Sequence, residues 1–130
     1  MSDSDREYIN YGKKYNLDES VFDYSIDKDP NTVFTDKKNI KVLITHSCYC
    51  HKQNDYLKDE ICNVDIVNSD GNINYIDIFN ECTIQYKIFL NDIIEDNNLD
   101  IKYSELLCNH GFVEGFDELD NNLYLLSRGS

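Results

Sequence analysis

Side chains that carry oxygen are concentrated around one glycine, Gly71, near the middle of the chain. They are Asn68, Asp70, Asn72, Asn74 and Asp77. Calcium is bound by about six to eight oxygen atoms, which a loop of about twelve residues can supply at alternating positions. The segment therefore predicts a calcium loop in which these five side chains are the candidate metal ligands.

Two further segments, residues 27–35 and 96–105, are also rich in Asp and Asn. Each of the three has an apolar residue where two such loops would pair through a short β-bridge: Phe34, Ile73 and Ile101. None has a full ligand set. Lys38 stands where the closing carboxylate of the first loop belongs, and Ile66 and Ile94 occupy the first positions of the other two. Calcium binding is therefore predicted to be weak or lost.

The elements that would position these loops are predicted to be helices. Apolar residues recur three and four residues apart in two short segments, residues 40–44 and 57–64. A longer periodic segment covers residues 76–94, with Phe79, Ile84, Ile88 and Phe89 as apolar anchors. The chain has one proline and five glycines, so few residues would interrupt a helix. The predicted fold class is mostly α.

Helices flanking oxygen-rich loops make the chain resemble the EF-hand superfamily, in particular calmodulin-like proteins and myosin light chains, over roughly residues 20–112. The resemblance implies degenerate helix–loop–helix repeats with short β-bridges between loops. They would form a single domain at residues 16–130, after a polar segment at residues 1–15 that is expected to be partly disordered.

The resemblance also implies a function: a non-catalytic, light-chain-like subunit that clasps a basic amphipathic helix of a partner protein. Its cofactor would be none, or weakly bound calcium. The partner-binding surface would be lined by apolar side chains: Leu43, Ile61, Phe79, Ile84, Ile88 and Phe89. The absence of a Gly-rich phosphate loop, a nucleophile elbow and an HExxH motif argues against an enzyme.

The formal net charge is −13, from 25 acidic and 12 basic residues. A field of this sign repels phosphate backbones and anionic lipid, so direct binding to nucleic acid or a membrane surface is disfavoured. It favours a basic partner, although solubility alone would also explain it. No apolar run approaches the ~20 residues that cross a bilayer, and the first residues are polar and acidic, so we expect a cytoplasmic protein.

Two alternatives remain open. Histidines and cysteines could bind zinc, with the candidates His46, Cys48, Cys50, His51, Cys62, Cys108 and His110. Cys48 and Cys50 are too close for the usual paired-ligand spacing, so reduced, buried cysteines are the favoured interpretation. The acidic chain could instead mimic nucleic acid and inhibit a DNA- or RNA-binding enzyme.

Overall fold

The structure is a computed structural model that describes residues 22–24, 29, 31–46, 56–57, 60–106 and 112–129. Its strands are β1 (Asp23–Tyr24), β2 (Val33–Thr35), β3 (Asn39–Ile44), β4 (Cys62–Val67), β5 (Ile73–Asn74), β6 (Phe112–Asp120) and β7 (Leu123–Gly129). Between β5 and β6 lie the helix α1 (Tyr75–Asp96) and a 3₁₀ helix (Tyr103–Leu106). The prediction of a mostly α fold is therefore wrong, because strands outnumber the single α-helix in the described residues.

Five of the strands form one mixed sheet in the order β1-β6-β7-β3-β4. The long β6 and β7 form an antiparallel hairpin at its centre, β7 pairs parallel with β3, and β3 pairs antiparallel with β4. The short β1 pairs parallel with β6. In the described part of the chain, β4 therefore forms one edge of the sheet.

Burial along β3 and β4 alternates with a period of two residues, as in strands with one face against a core. Ile40, Val42 and Ile44 are buried on β3, whereas the intervening side chains are exposed or half-buried. The same alternation follows β4. The spacing of three and four residues at 40–44 and 57–64 was therefore misleading, since short apolar runs fit a helix and a strand almost equally well.

The helix α1 confirms the prediction made for residues 76–94 and extends it by one or two residues at each end. Its buried residues lie on one side of the helix: Ile78, Phe79, Cys82, Thr83, Tyr86, Leu90 and Ile93. At its start, Asp77 Oδ2 accepts a hydrogen bond of 2.9 Å from the Asn74 backbone N–H, which satisfies a donor that the helix leaves unpaired. At its end, Asn98 takes a positive φ of 53°, and the Leu99 N–H bonds to the Ile94 carbonyl.

Aromatic packing fixes β1 beneath the helix. The rings of Tyr24 and Phe79 are stacked with centroids 4.3 Å apart, and those of Phe22 and Tyr86 are stacked at 5.1 Å. The Tyr24 hydroxyl donates to the Phe79 carbonyl at 3.0 Å and lies 2.8 Å from Thr83 Oγ1. The buried tyrosine therefore has hydrogen-bond partners for its hydroxyl as well as apolar contacts for its ring.

The helix–loop–helix repeats implied by the resemblance to EF-hand proteins are absent from the described residues. The loop at residues 68–72 leads from strand β4, not from a helix, into β5 and α1. The short strands β2 and β5 do pair, with Thr35 opposite Ile73, but they belong to no pair of helical hairpins. Ile101 is half-buried against the core. The segments at residues 1–15 and 25–28 lie outside the described residues.

No helix in the described ranges is long and apolar enough to cross a membrane. The helix α1 has 22 residues, but polar and charged side chains interrupt its apolar ones, as expected for a helix that packs on one side of a sheet.

A substitution at Phe79 can test whether the inner side of α1 belongs to the core. The sequence predicted Phe79 to line a partner-binding surface, whereas the structure buries it. Phe79→Ala should lower the free energy of unfolding by about 3–5 kcal/mol, since the ring is fully buried. The matched change Ile84→Ala, at a side chain 51% exposed, should cost less than about 1 kcal/mol. Urea unfolding of both variants measures the difference, and equal losses would contradict this assignment of the core.

Candidate partner-binding groove

The free edge of β4 presents backbone groups that have no neighbouring strand in the described part of the chain. The hydrogen bond from the Asn68 N–H to the Lys38 carbonyl, at 2.8 Å, extends the β3–β4 ladder. Because antiparallel strands alternate between residues that bond to the partner strand and residues that point away, Cys62, Val64 and Ile66 bond to β3. The backbone N–H and C=O groups at residues 63, 65 and 67 therefore face outwards.

A side chain from α1 takes the place of a strand at the middle of this edge. Gln85 Oε1 accepts from the Asp65 N–H at 3.1 Å, and Gln85 Nε2 donates to the Asp65 carbonyl at 2.8 Å. The carboxamide thus makes the two bonds that the C=O and N–H of one residue of an added antiparallel strand would make. Gln85 Nε2 also donates to Glu81 Oε1 at 2.8 Å, which holds the amide in this orientation.

One side of α1 faces this edge. Asp77, Glu81, Gln85, Ile88 and Asp92 are spaced four, four, three and four residues apart, which places them on one side of the helix. The helix contacts β4 and runs back along it, so its first turn lies beside Val67 and its fourth and fifth turns lie beside Cys62. We call the space between the edge of β4 and these five side chains the β4 groove.

The end of the β4 groove near Val67 is a polar cavity of about 520 Å³. It is lined by Asp65, Ile66, Val67, Asn68, Asp77, Asn80 and Glu81. The lining therefore contains the two carboxylates of Asp77 and Glu81 from α1 and no basic residue, while the Asp65 side chain points to the opposite face of the sheet. Lys41 Nζ lies 3.9 Å from Asp65 Oδ1 with both side chains largely exposed, and an exposed pair of this kind contributes little.

The other end of the β4 groove is a more apolar cavity of about 320 Å³. It is lined by Cys62, Asn63, Gln85, Ile88, Phe89 and Asp92. Ile88 is 55% exposed, whereas Phe89 is half-buried and stacks on His46 with the ring planes 8° apart. One wall of this cavity is therefore fixed by packing, and the Ile88 side chain is free to be covered by a partner.

Buried hydrogen bonds support that wall from behind. His46 Nδ1 lies 2.8 Å from the Glu60 carbonyl oxygen, and His46 Nε2 lies 2.8 Å from the Tyr86 hydroxyl. A carbonyl can only accept, so Nδ1 carries a hydrogen and, in the neutral ring, the Tyr86 hydroxyl donates to Nε2. Both ring nitrogens thus bind protein atoms, which makes His46 a packing residue rather than a metal ligand.

The six residues predicted to bind a partner do not form one surface. Ile88 and Phe89 line the apolar cavity, and Ile61 and Ile84 are exposed. Phe79 is fully buried in the core, so it cannot touch a partner. Leu43 is half-buried on β3, on the sheet face opposite the buried Val42. Sequence reasoning missed Gln85 and the β4 backbone, because an edge is defined only once strands are paired.

Of the five side chains predicted to bind calcium, those of Asn68 and Asp77 make local hydrogen bonds in a turn and at a helix start. Asn68 Oδ1 accepts from the Asp70 N–H at 3.2 Å, and Asn68 Nδ2 donates to the Asn72 carbonyl at 2.8 Å. Asp77 caps α1, whose N-cap residue is Asn74. Among the described residues, no group of three or more His, Cys, Asp or Glu side chains is placed to hold a metal ion. The zinc candidates Cys48, Cys50, His51, Cys108 and His110 lie outside the described residues.

Two thiols beneath the β4 groove are free and buried. Burial raises the pKa of Cys62 from its ordinary value of 9.0 to about 12. Burial, together with the neighbouring Cys62 and Glu81, also raises the pKa of Cys82 well above its usual range. Both thiols are therefore protonated at neutral pH and are poor nucleophiles.

The raised pKa of Cys62 predicts a loss of stability in alkali. The folded state holds the thiol proton more tightly than the unfolded state, so this contribution is complete below about pH 9 and is lost as the pH rises towards about 12. The free energy of unfolding in urea should therefore fall over this range, and less steeply for Cys62→Ala than for the unmodified chain. Identical slopes would contradict a buried, protonated Cys62.

The hydrogen bond from the Asp65 N–H to Gln85 should slow hydrogen exchange at the edge of β4. Gln85→Ala should speed exchange of the Asp65 amide proton by about five- to tenfold, because one hydrogen bond contributes about 1 kcal/mol. The amides of Val64 and Ile66, which bond to β3, should exchange as before, and so should all three in the control Asn80→Ala. NMR-detected exchange measures these rates, and an unchanged Asp65 would show that Gln85 does not close this edge.

Comparison of the chain with protein-family models, with curated proteins and with solved structures found no significant match.

Proposed function

We propose that this protein is a non-catalytic binding module that adds an extended, basic segment of a partner protein to β4. The observation that carries the proposal is a sheet edge that has no neighbouring strand among the described residues and that faces an acid-lined groove. Extended segments bind such edges through main-chain hydrogen bonds, and cavities beside the edge accept alternate side chains.

The β4 groove suits an extended segment better than the basic amphipathic helix predicted from the sequence. A helix pairs its own backbone N–H and C=O groups internally, so it would offer none to the outward-facing groups at Asn63 and Val67. An added strand would pair with them and bury the exposed Ile88 and Val67, of which Val67 is 66% exposed. We therefore still expect a basic partner, but one that binds as an extended strand and not as a helix.

Charge favours a partner over a second copy of this chain. Each copy has a formal net charge of −13, and pairing two β4 edges would bring two acid-lined grooves together. Opposite charge attracts a basic segment over about 8–10 Å at physiological salt and speeds its association. Added salt should weaken this binding.

Binding requires Gln85 to release Asp65. The N–H and C=O groups of one partner residue would replace the two hydrogen bonds that Gln85 makes with Asp65, so bonds are exchanged rather than lost. The Gln85 side chain can turn towards solvent, since it is only half-buried. Gln85 therefore keeps the edge satisfied in the free protein and discourages edge-to-edge aggregation.

A proline at the edge of β4 tests the proposal. Val67→Pro removes an outward-facing N–H and leaves the β3–β4 ladder intact, because proline is tolerated at sheet edges. A capped, fluorescent peptide of alternating lysine and valine should bind the unmodified chain, and Val67→Pro should weaken it at least about tenfold. The control Val67→Ala should change Kd less than about threefold. Fluorescence anisotropy measures each Kd, and equal binding by the two variants would contradict strand addition.

N-methylated peptides separate strand addition from simple charge attraction. In antiparallel addition, residues whose side chains enter the β4 groove point their N–H groups away from β4. A peptide methylated on the backbone nitrogens of its lysines should therefore still bind, with the lysine side chains in the β4 groove. Methylation of the backbone nitrogens of the valines should weaken binding. The two peptides have the same charge and composition, so equal affinities would indicate attraction without strand pairing.

A further inference from the structure

We infer that the two cavities of the β4 groove form a paired recognition site for a cationic and an apolar side chain four residues apart on one extended segment. The inference rests on the proposed function and specifies the partner that it accepts. In antiparallel addition the cationic residue stands nearer the N-terminus of the segment, and the apolar residue follows it.

The spacing comes from two independent measures of the distance between the cavities. Along β4, the residues that line the polar cavity are centred about four residues beyond those that line the apolar cavity, which is about 13 Å at ~3.3 Å per residue. Along α1, the two sets are centred about nine residues apart, which is about 14 Å at ~1.5 Å per residue. The distances between the cavities measured along the strand and along the helix therefore agree.

An extended segment spans this distance with four residues, and an even spacing also places both side chains on one face. Side chains on the inner face of β4 point towards α1, as those of Val64 and Ile66 do. The segment's residues opposite Cys62 and Ile66 would point the same way, one into each cavity. A spacing of three would send one of the two side chains to the other face of the sheet.

The chemistry of the two cavities fixes which side chain each accepts. Asp77 and Glu81 line the polar cavity together with the carboxamide of Asn80, which suits an arginine or lysine. Ile88 and the stacked ring of Phe89 line the apolar cavity, which suits a leucine or an aromatic ring. Asp92 at the edge of that cavity disfavours an acidic residue there.

The order of the two side chains follows from strand direction. The polar cavity lies at the C-terminal end of β4 and the apolar cavity at its N-terminal end. Antiparallel pairs are slightly more stable per residue than parallel pairs, so the bound segment runs from the polar cavity to the apolar one. The cationic residue therefore comes first.

A series of capped, fluorescent peptides tests the spacing. Each peptide contains serine and threonine with one arginine and one leucine, and the leucine follows the arginine by two, three, four or six residues; one further peptide reverses the order at spacing four. The unmodified chain should bind the spacing-four peptide with arginine first at least about tenfold more tightly than the spacing-three and reversed peptides. Anisotropy titrations at one fixed salt concentration measure each Kd.

The outcomes separate the inference from the proposed function. If all five peptides bind equally, or if another spacing binds best, the paired site is overturned while strand addition stands. If none of them binds and the lysine–valine peptide also fails, the proposed function is overturned with it. Concentration-dependent dimerisation of the free chain that Val67→Pro abolishes would show that a second copy occupies the edge, which overturns both.

Variants assign each side chain to its cavity. Glu81→Gln should weaken the spacing-four peptide about five- to tenfold and leave a peptide with serine in place of arginine unchanged. Ile88→Ser should weaken binding of the spacing-four peptide by a similar factor and should leave binding of a peptide without leucine unchanged. Glu114→Gln removes the same charge from an exposed site on β6 and should affect none of them, so equal effects of Glu81→Gln and Glu114→Gln would overturn the assignment.

Discussion

The helix α1 packs one of its sides against the inner face of the five-stranded sheet, and the rest of the structure depends on this contact. The buried rings of Phe79 and Tyr86 pack against Tyr24 and Phe22 at the start of the described chain. This core fixes both the position and the rotation of α1. The stripe from Asp77 to Asp92 is therefore held beside β4, and the β4 groove exists because the core leaves the helix no other orientation.

The β4 groove combines two features that a folded protein usually separates. An open strand edge invites pairing with any chain, and here Gln85 bonds to its middle residue while acidic side chains surround it. In the proposed function the carboxylates would repel further copies of the chain, and the carboxamide would leave when a basic segment arrives. One arrangement would then protect the free protein and select its partner.

An apolar pattern indicated the correct secondary structure only where the element was long. The periodic segment at residues 76–94 was long enough to show a helical period, and it is α1. Ile40, Leu43 and Ile44 fit a helical spacing by chance, because in a run of six residues one or two apolar positions decide the period. Asn68 and Asp77 suggested a metal loop because turns, helix caps and calcium loops use the same short oxygen-bearing side chains. In the structure these two side chains make hydrogen bonds of the turn and the helix cap.

The sequence by itself determined the acidic charge and the long amphipathic helix. Composition and local periodicity carry this information. Only the tertiary structure decided that β4 lies at an edge, that Gln85 closes it and that two cavities lie about 13 Å apart along it. These properties belong to pairs of elements distant in the chain, and the order of strands in a sheet depends on long-range packing that no local pattern records.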